Sequence, residues 1–298
     1  LAGLFAHVDS TALISAMLLG VSIASIWLLA ALGLTVIYGT IGVINMAHGE
    51  FIMLGAYVSY LLQSSFGVPF LLTIPCAFIA VGLIGFLMER LLIRYLYKRP
   101  LDTLLASWGV SLVLVQGVRL TFGSDPKYLA VPALFTSNIQ IGFFSLSVFR
   151  VFVIGLTAAI ALGMWLLYQR TRFGMQIRAV TQNKEIAAAF GINASRVYAL
   201  TFSLGAGLAG IAGCLFGVLN IVLPSMGTEY VVEAFLVVVV GGGALIGSVV
   251  AGGLTGELQS IFAYFTNDTF GRFLLFILIV IFLRFRPQGL FSTGAVRR

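Results

Sequence analysis

Three side chains able to hold a polar solute, Asn45, His48 and Glu50, fall within six residues of one another in Gly39-Thr-Ile-Gly-Val-Ile-Asn-Met-Ala-His-Gly-Glu50. The glycines of that stretch interrupt a helical pattern, so these polar groups sit at a break rather than along a regular face. A second pair, Trp108 and Gln116, lies eight residues apart in the apolar stretch 102–121. On a helix their directions differ by about 80°. Amide, imidazole, carboxylate and indole groups in apolar surroundings need partners. A polar pathway would supply them as solute or water, and a helix–helix hydrogen-bond network would supply them as neighbouring side chains.

The other ionisable residues form no catalytic constellation. Glu229 and Glu233 are four apart and share one helix face, fit either for a proton relay or for the wetted wall of a vestibule. Glu257 is a further acid in an apolar stretch, costly to hold there unless it pairs or meets water. His7 and His48 are too isolated to bind a metal, and Cys76 and Cys214 have neither CxxC spacing nor a nearby His, so they read as packing residues. Neither Lys98, Lys127 nor Lys184 follows a glycine, which excludes the phosphate loop GxxxxGK[ST]. Gly205-Ala-Gly-Leu-Ala-Gly210 matches GxGxxG but lies inside an apolar stretch with no strand before it. With Gly213 and Gly217 it reads as a surface for close helix packing.

The elements that position these residues follow from charge and apolarity. The chain has 298 residues, 60% hydrophobic and 9% charged, far from the averages of a soluble domain. Thirteen of its 17 Lys and Arg residues fall in three blocks: Arg90, Arg94, Lys98 and Arg99; Arg170, Arg172, Arg178, Lys184 and Arg196; Arg284, Arg286, Arg297 and Arg298. Short basic loops between apolar segments stay in the cytoplasm, so the +7 charge marks membrane orientation and not a nucleic-acid partner. A hydrocarbon core of about 30 Å takes about 20 apolar residues per helix. The pattern predicts an all-α, polytopic transmembrane bundle of about nine spans with broken helices, near 12–39, 49–64, 70–93, 102–121, 149–168, 199–221, 229–242, 246–265 and 270–284. The C-terminus is expected in the cytoplasm and the N-terminus outside, and the absence of Lys and Arg before residue 90 leaves no basic n-region for a signal peptide.

One membrane domain over 1–298 is expected, with an external cap at about 122–148 that is too short for a folded enzyme domain. The run Gly241-Gly-Gly-Ala-Leu-Ile-Gly-Ser248 reads either as a second broken helix at membrane depth or as a tight turn at the surface. The basic loop at about 169–197 predicts a short helix over 179–190 that ends at Gly191 and carries Ile186, Ala189 and Phe190 at helical spacing. Such a helix would dock into a soluble partner or rest on lipid headgroups.

Several of these segments resemble the membrane permeases of branched-chain amino acid and urea importers of the ATP-binding-cassette class. They are Gly33-Leu-Thr-Val-Ile-Tyr-Gly-Thr-Ile-Gly-Val-Ile-Asn-Met-Ala-His-Gly-Glu50, Arg178-Ala-Val to Glu185-Ile-Ala-Ala-Ala-Phe-Gly-Ile192, the Gly241 to Gly253 glycine series and Arg286-Pro-Gln-Gly-Leu290. The resemblance covers nearly the whole chain, and Arg99-Pro-Leu-Asp-Thr-Leu-Leu-Ala-Ser-Trp-Gly-Val-Ser-Leu112 is closer to the urea type. It implies a bacterial inner-membrane transport subunit that is not an enzyme and carries urea, or branched-chain amino acids in the same class of importer. A passive urea or water channel is the other reading, though a channel has no need of a coupling helix, and an ion-coupled secondary transporter would need titrating acids. The partners implied are a homologous second permease, two ATPase subunits and a periplasmic or extracellular substrate-binding protein, all on a lipid bilayer. ATP and its Mg ion would be bound by the ATPase subunits, with no cofactor in this chain. The site residues implied are Asn45, His48, Glu50, Trp108 and Gln116 for the pathway, and Arg178, Glu185, Ala188 and Gly191 for ATPase coupling.

Overall fold

The computed structural model describes residues 10–97, 99–141 and 144–291. His7, Lys98, Arg297 and Arg298 lie outside the described residues. Among the described residues the chain forms eleven α-helices: α1 (Ser10–Ile41), α2 (His48–Phe66), α3 (Phe70–Leu91), α4 (Pro100–Phe122), α5 (Val148–Arg170), α6 (Arg172–Gln182), α7 (Lys184–Ala189), α8 (Ala194–Leu219), α9 (Met226–Gly241), α10 (Leu245–Phe265) and α11 (Asp268–Phe285). Two short strands, β1 (Asn138–Ile141) and β2 (Phe144–Ser147), pair antiparallel with Asn138 opposite Ser147 and Ile141 opposite Phe144.

All nine predicted spans are helices, with ends within about five residues of expectation. Six of the helices are long and apolar enough to cross a membrane by length and composition: α1, α3, α4, α5, α8 and α10. The other three do not meet that measure. Helix α9 has only 16 residues, and α2 and α11 carry Glu50 and Asp268 in their first turns. Local chemistry sets the ends: Pro100 opens α4, the Asn193 side chain accepts the Arg196 N–H at 3.0 Å to open α8, and Gly67 closes α2 in the left-handed region.

Helix α8 is the most enclosed of these elements and packs on α1, α2 and α3. In a bilayer no hydrophobic force pulls helices together, so close contact depends on small side chains. Gly205 lies on the Gly33 backbone of α1, Gly210 on Gly55 of α2, and Ala206 on Gly85 of α3. A Cβ at Gly33 would strike the Gly205 carbonyl and one at Gly55 the Gly210 carbonyl, which gives the GxGxxG run its packing role. Helix α1 also runs along α10, with Ala24 against Gly256 and Thr35 Oγ1 hydrogen-bonded to Ser248 Oγ at 2.7 Å. Helices α4 and α5 stand at the periphery, largely uncovered.

The described residues of the basic blocks gather at one end of the bundle. There Ile177 and Val180 of α6, Ala187 of α7 and Val197 and Tyr198 of α8 form a small second core against Ile41, Tyr97 and Tyr168. Tyr97 packs edge-on to Tyr198, and its hydroxyl donates to Glu89 at the end of α3. Burial, and next the neighbouring carboxylate, push the Tyr97 hydroxyl pKa up. At the opposite end the 122–148 loop folds back on the bundle: Lys127 bridges Val222, the Ala130 N–H donates to Gln63 Oε1 at 2.9 Å, and Phe135 packs on Phe149 and Phe152. The hairpin within this loop was not expected from the sequence.

The basic loop differs from expectation as well. The helix predicted over 179–190 is two helices, because Asn183 leaves the helical conformation and its side chain caps α7 by accepting the Glu185 and Ile186 N–H groups. An Asn that offers its amide oxygen to the next two donors competes with helix continuation.

Candidate functional site

The break between α1 and α2 is built backbone first. The Gly42 N–H donates to the Tyr38 carbonyl, and a φ of 76° at Gly42 turns the chain out of α1. Gly42 to Asn45 then runs without helical structure, and the freed donors are met by side chains. The Met46 N–H donates to Ser107 Oγ of α4 at 3.0 Å and the Ala47 N–H to Asn45 Oδ1 at 3.1 Å. Helix α2 starts at His48, whose Nε2 lies 3.1 Å from the Ala30 carbonyl of α1. A carbonyl only accepts, so Nε2 carries the hydrogen and Nδ1 is left as an acceptor. Ala30 precedes the end of α1 by eleven residues, which puts the start of α2 about 16 Å in from that end along the helix axis. The break is at membrane depth, where irregular backbone persists only when buried in protein or lining a cavity.

Asn45, His48 and Glu50 are all buried, and each keeps one polar atom without a hydrogen-bond partner: Nδ2, Nδ1 and Oε2. Glu50 Oε1 accepts from Ser111 Oγ of α4 at 3.0 Å, while Oε2 faces Gly227 at the start of α9. Gly49 and Gly227 touch backbone to backbone, and a Cβ on Gly49 would strike the Gly227 carbonyl. A buried polar atom left unpaired costs about 1–3 kcal/mol. Three of them around one helix start form a polar focus that a polar solute, water or a helix movement can complete.

The structure brings Asn45, His48 and Glu50 together but sets Trp108 and Gln116 apart from them. Both lie on the uncovered face of α4, Trp108 being 53% exposed, while Ser107 and Ser111 of the same helix point inward to the focus. Gly109 and Gly117 share that uncovered face, with no atom within 4 Å of where a Cβ would stand. Ser107 and Ser111 were missed by sequence reasoning, and their spacing of four in an apolar helix is the one signal that marks them. Of the acid pair on α9, Glu229 is exposed and Glu233 lies 3.6 Å from Arg272 of α11, which also holds Asp268 at 3.3 Å. Glu257 Oε2 is buried without a hydrogen-bond partner, close to Gly20. Among the described residues no group of His, Cys, Asp and Glu could hold a metal ion.

The glycine run after α9 is a tight turn, with φ of 77° at Gly242 and 71° at Gly243. The closing segment lies on it: the Leu290 N–H donates to the Val240 carbonyl at 2.7 Å, and a Cβ on Gly242 would strike the Phe291 carbonyl. In the basic loop, Gly191 ends α7 with a φ of 80° and its N–H on the Ala188 carbonyl. Ala187 anchors α7 to the small core, which leaves Glu185, Ile186, Ala188 and Phe190 exposed, Phe190 by 83%. Arg178 is separate from that tip, turned from α6 toward α1 and α5 with its Nη1 buried.

Fold and site together define a polytopic membrane transport chain: a bundle with a broken helix and polar groups at membrane depth, and a short helix presented at its basic end. Residues 16–283 match the family described as the branched-chain amino acid transport system permease component, and the chain belongs to that family. Among its relatives are the high-affinity branched-chain amino acid transport system permease proteins BraD of Pseudomonas aeruginosa and LivH of Escherichia coli. BraD is 30% identical over 94% of this chain and 95% of its own length. LivH has the same identity over the same shares. The galactose/methyl galactoside import permease MglC of E. coli is 29% identical over 80% of this chain and 73% of its own. No solved structure matches the chain. The chain is thus a permease subunit of an ATP-binding-cassette importer, a transport subunit and not an enzyme.

Proposed function

We propose that this chain and a related second permease form the pathway for branched-chain amino acids across a bacterial inner membrane. Two ATPase subunits on the basic side would drive it, and a substrate-binding protein would deliver cargo on the other side. The observation that carries the substrate is full-length similarity to permeases named for branched-chain amino acids. The urea reading stood on 99–112 alone and gives way to the amino-acid alternative. Similarity to a galactoside permease argues that this architecture serves unlike cargo, so selection rests on few groups and on the binding protein.

The polar focus suits a zwitterion. Asn45 Nδ2 offers a donor to a carboxylate, and Glu50 Oε2 and His48 Nδ1 offer acceptors to an ammonium. The uncovered face of α4 is where the second permease would pack, since Gln116 facing hydrocarbon would be costly while Gly109 and Gly117 admit a close neighbour. Trp108 and Gln116 would then lie in that interface, on the side of α4 away from the polar focus. Exposed Glu185, Ala188 and Phe190, with the Gly191 stop, form the surface for an ATPase groove, and ATPase closure would move α6 and α7 against the bundle. By the positive-inside rule the basic blocks argue for a cytoplasmic surface and C-terminus, with the chain read as one membrane domain.

Proteoliposomes holding the assembled importer, supplied with ATP on the coupling side and with the binding protein on the other, test the substrate. Labelled leucine should accumulate only with ATP, and labelled urea should not. Uptake of urea without leucine would reverse the assignment.

A further inference from the structure

A cavity of about 840 Å³ opens at the basic end between α1, α5, α6 and the start of α10, away from the polar focus at Asn45 to Glu50. Among the described residues no Asp or Glu lines it. Arg178 reaches it from α6, makes no ion pair among the described residues, and has a buried Nη1 with no hydrogen-bond partner. Neutral polar groups surround it: Gln169, Thr181, and the Thr40 and Tyr168 hydroxyls, which lie 3.3 Å apart. Gly243 to Ile246 close another wall with the N-terminus of the 21-residue α10, which no side chain caps. A half-buried guanidinium with one buried, unpartnered nitrogen, and an uncapped helix start, around a cavity that no carboxylate of the described residues lines, make a site for an oxyanion, held by charge-assisted N–H bonds.

The surroundings name the carrier of that anion. Trp165 of α5 lines the cavity and is itself partly exposed, and exposed Leu162 and Leu166 of α5 and Ile246 of α10 add apolar surface on the same two helices. An indole beside a basic pocket with an apolar rim is the arrangement found where headgroups meet acyl chains, and basic pockets between helices on the cytoplasmic side take anionic headgroups. We propose that this cavity binds the phosphate headgroup of an anionic phospholipid from the leaflet at the basic end, with the acyl chains lying along α5 and α10. A lipid held there would bridge α1, α5 and α10 to α6, the helix that carries α7.

The same oxyanion chemistry could be met by a soluble phosphate, so the test separates the two. The purified full-length chain in detergent, stripped of lipid, is titrated with phosphatidylglycerol, phosphatidylcholine and glycerol phosphate, and bound ligand is counted by native mass spectrometry. One phosphatidylglycerol should be retained, about tenfold more tightly than phosphatidylcholine. Glycerol phosphate should bind much more weakly. Arg178→Gln should weaken phosphatidylglycerol by about tenfold. Ala244→Asp should do the same without unfolding the chain, because Ala244 has the extended backbone of an N-cap and the new carboxylate would cap α10 while repelling the anion. Phosphatidylglycerol no tighter than phosphatidylcholine, or either variant binding like the parent, would overturn the site. Glycerol phosphate binding as tightly as the lipid would overturn the lipid assignment.

Discussion

Asn45 does two jobs with one amide, since Oδ1 caps the Ala47 N–H while Nδ2 is free for a solute. Asn45→Ala removes both, and losing the Ala47 N–H to Oδ1 hydrogen bond should cost about 1 kcal/mol. Assembly and basal ATPase activity should therefore stay near normal while transport falls severalfold. Gln116→Leu should instead lower the amount of assembled complex, because its amide is uncovered within this chain and would lie against the second permease. If the amount of assembled complex falls in step with transport for Asn45→Ala, Asn45 serves the fold instead. Tyr97→Phe is the opposite case: it leaves the fully buried Glu89 carboxylate without its hydroxyl donor, with Arg90 Nε at 3.9 Å. A loss of about 1–3 kcal/mol in stability is expected, read as a lower melting temperature. At this scale the sequence is an uneven guide. Asn45, His48 and Glu50 are conspicuous because they break an apolar run, whereas Ser107 hides because its hydroxyl also bonds back to Leu104 within its own helix.

The helices were legible because about 20 apolar residues bounded by charge or proline admit little else in a bilayer. Asn183 was not, because helix formers flank it on both sides and the competition between cap and helix is decided by two hydrogen bonds. The consequence is a six-residue α7 bounded by Asn183 and Gly191 and held to the small core by Ala187. Glu185→Lys or Ala188→Trp should leave the membrane helices intact and either release the ATPases or abolish transport while ATP hydrolysis continues. Co-purification and coupled uptake check this, and full coupling in both variants would remove α7 from the ATPase contact.

For the molecule as a whole, the expected orientation rests on where the basic residues gather. With Cys76 and Cys214 replaced, a cysteine introduced near Lys184 should label only from the cytoplasm and one near Lys127 only from outside. Charge reports which end faces the cytoplasm because short loops rich in Lys and Arg are kept on that side. It does not report which faces of α4 and α5 are uncovered, since that depends on packing between residues far apart in sequence, such as Gly33 on Gly205. The central claim is that the α1–α2 break lies on the substrate path. It is tested most directly by the thiol reactivity of Asn45→Cys, on the same cysteine-free background, in the assembled importer. The rate of modification should differ between the nucleotide-free and ATP-bound states and should fall severalfold with saturating leucine. A cysteine at position 45 that reacts in neither state, or whose rate is indifferent to leucine, would contradict it.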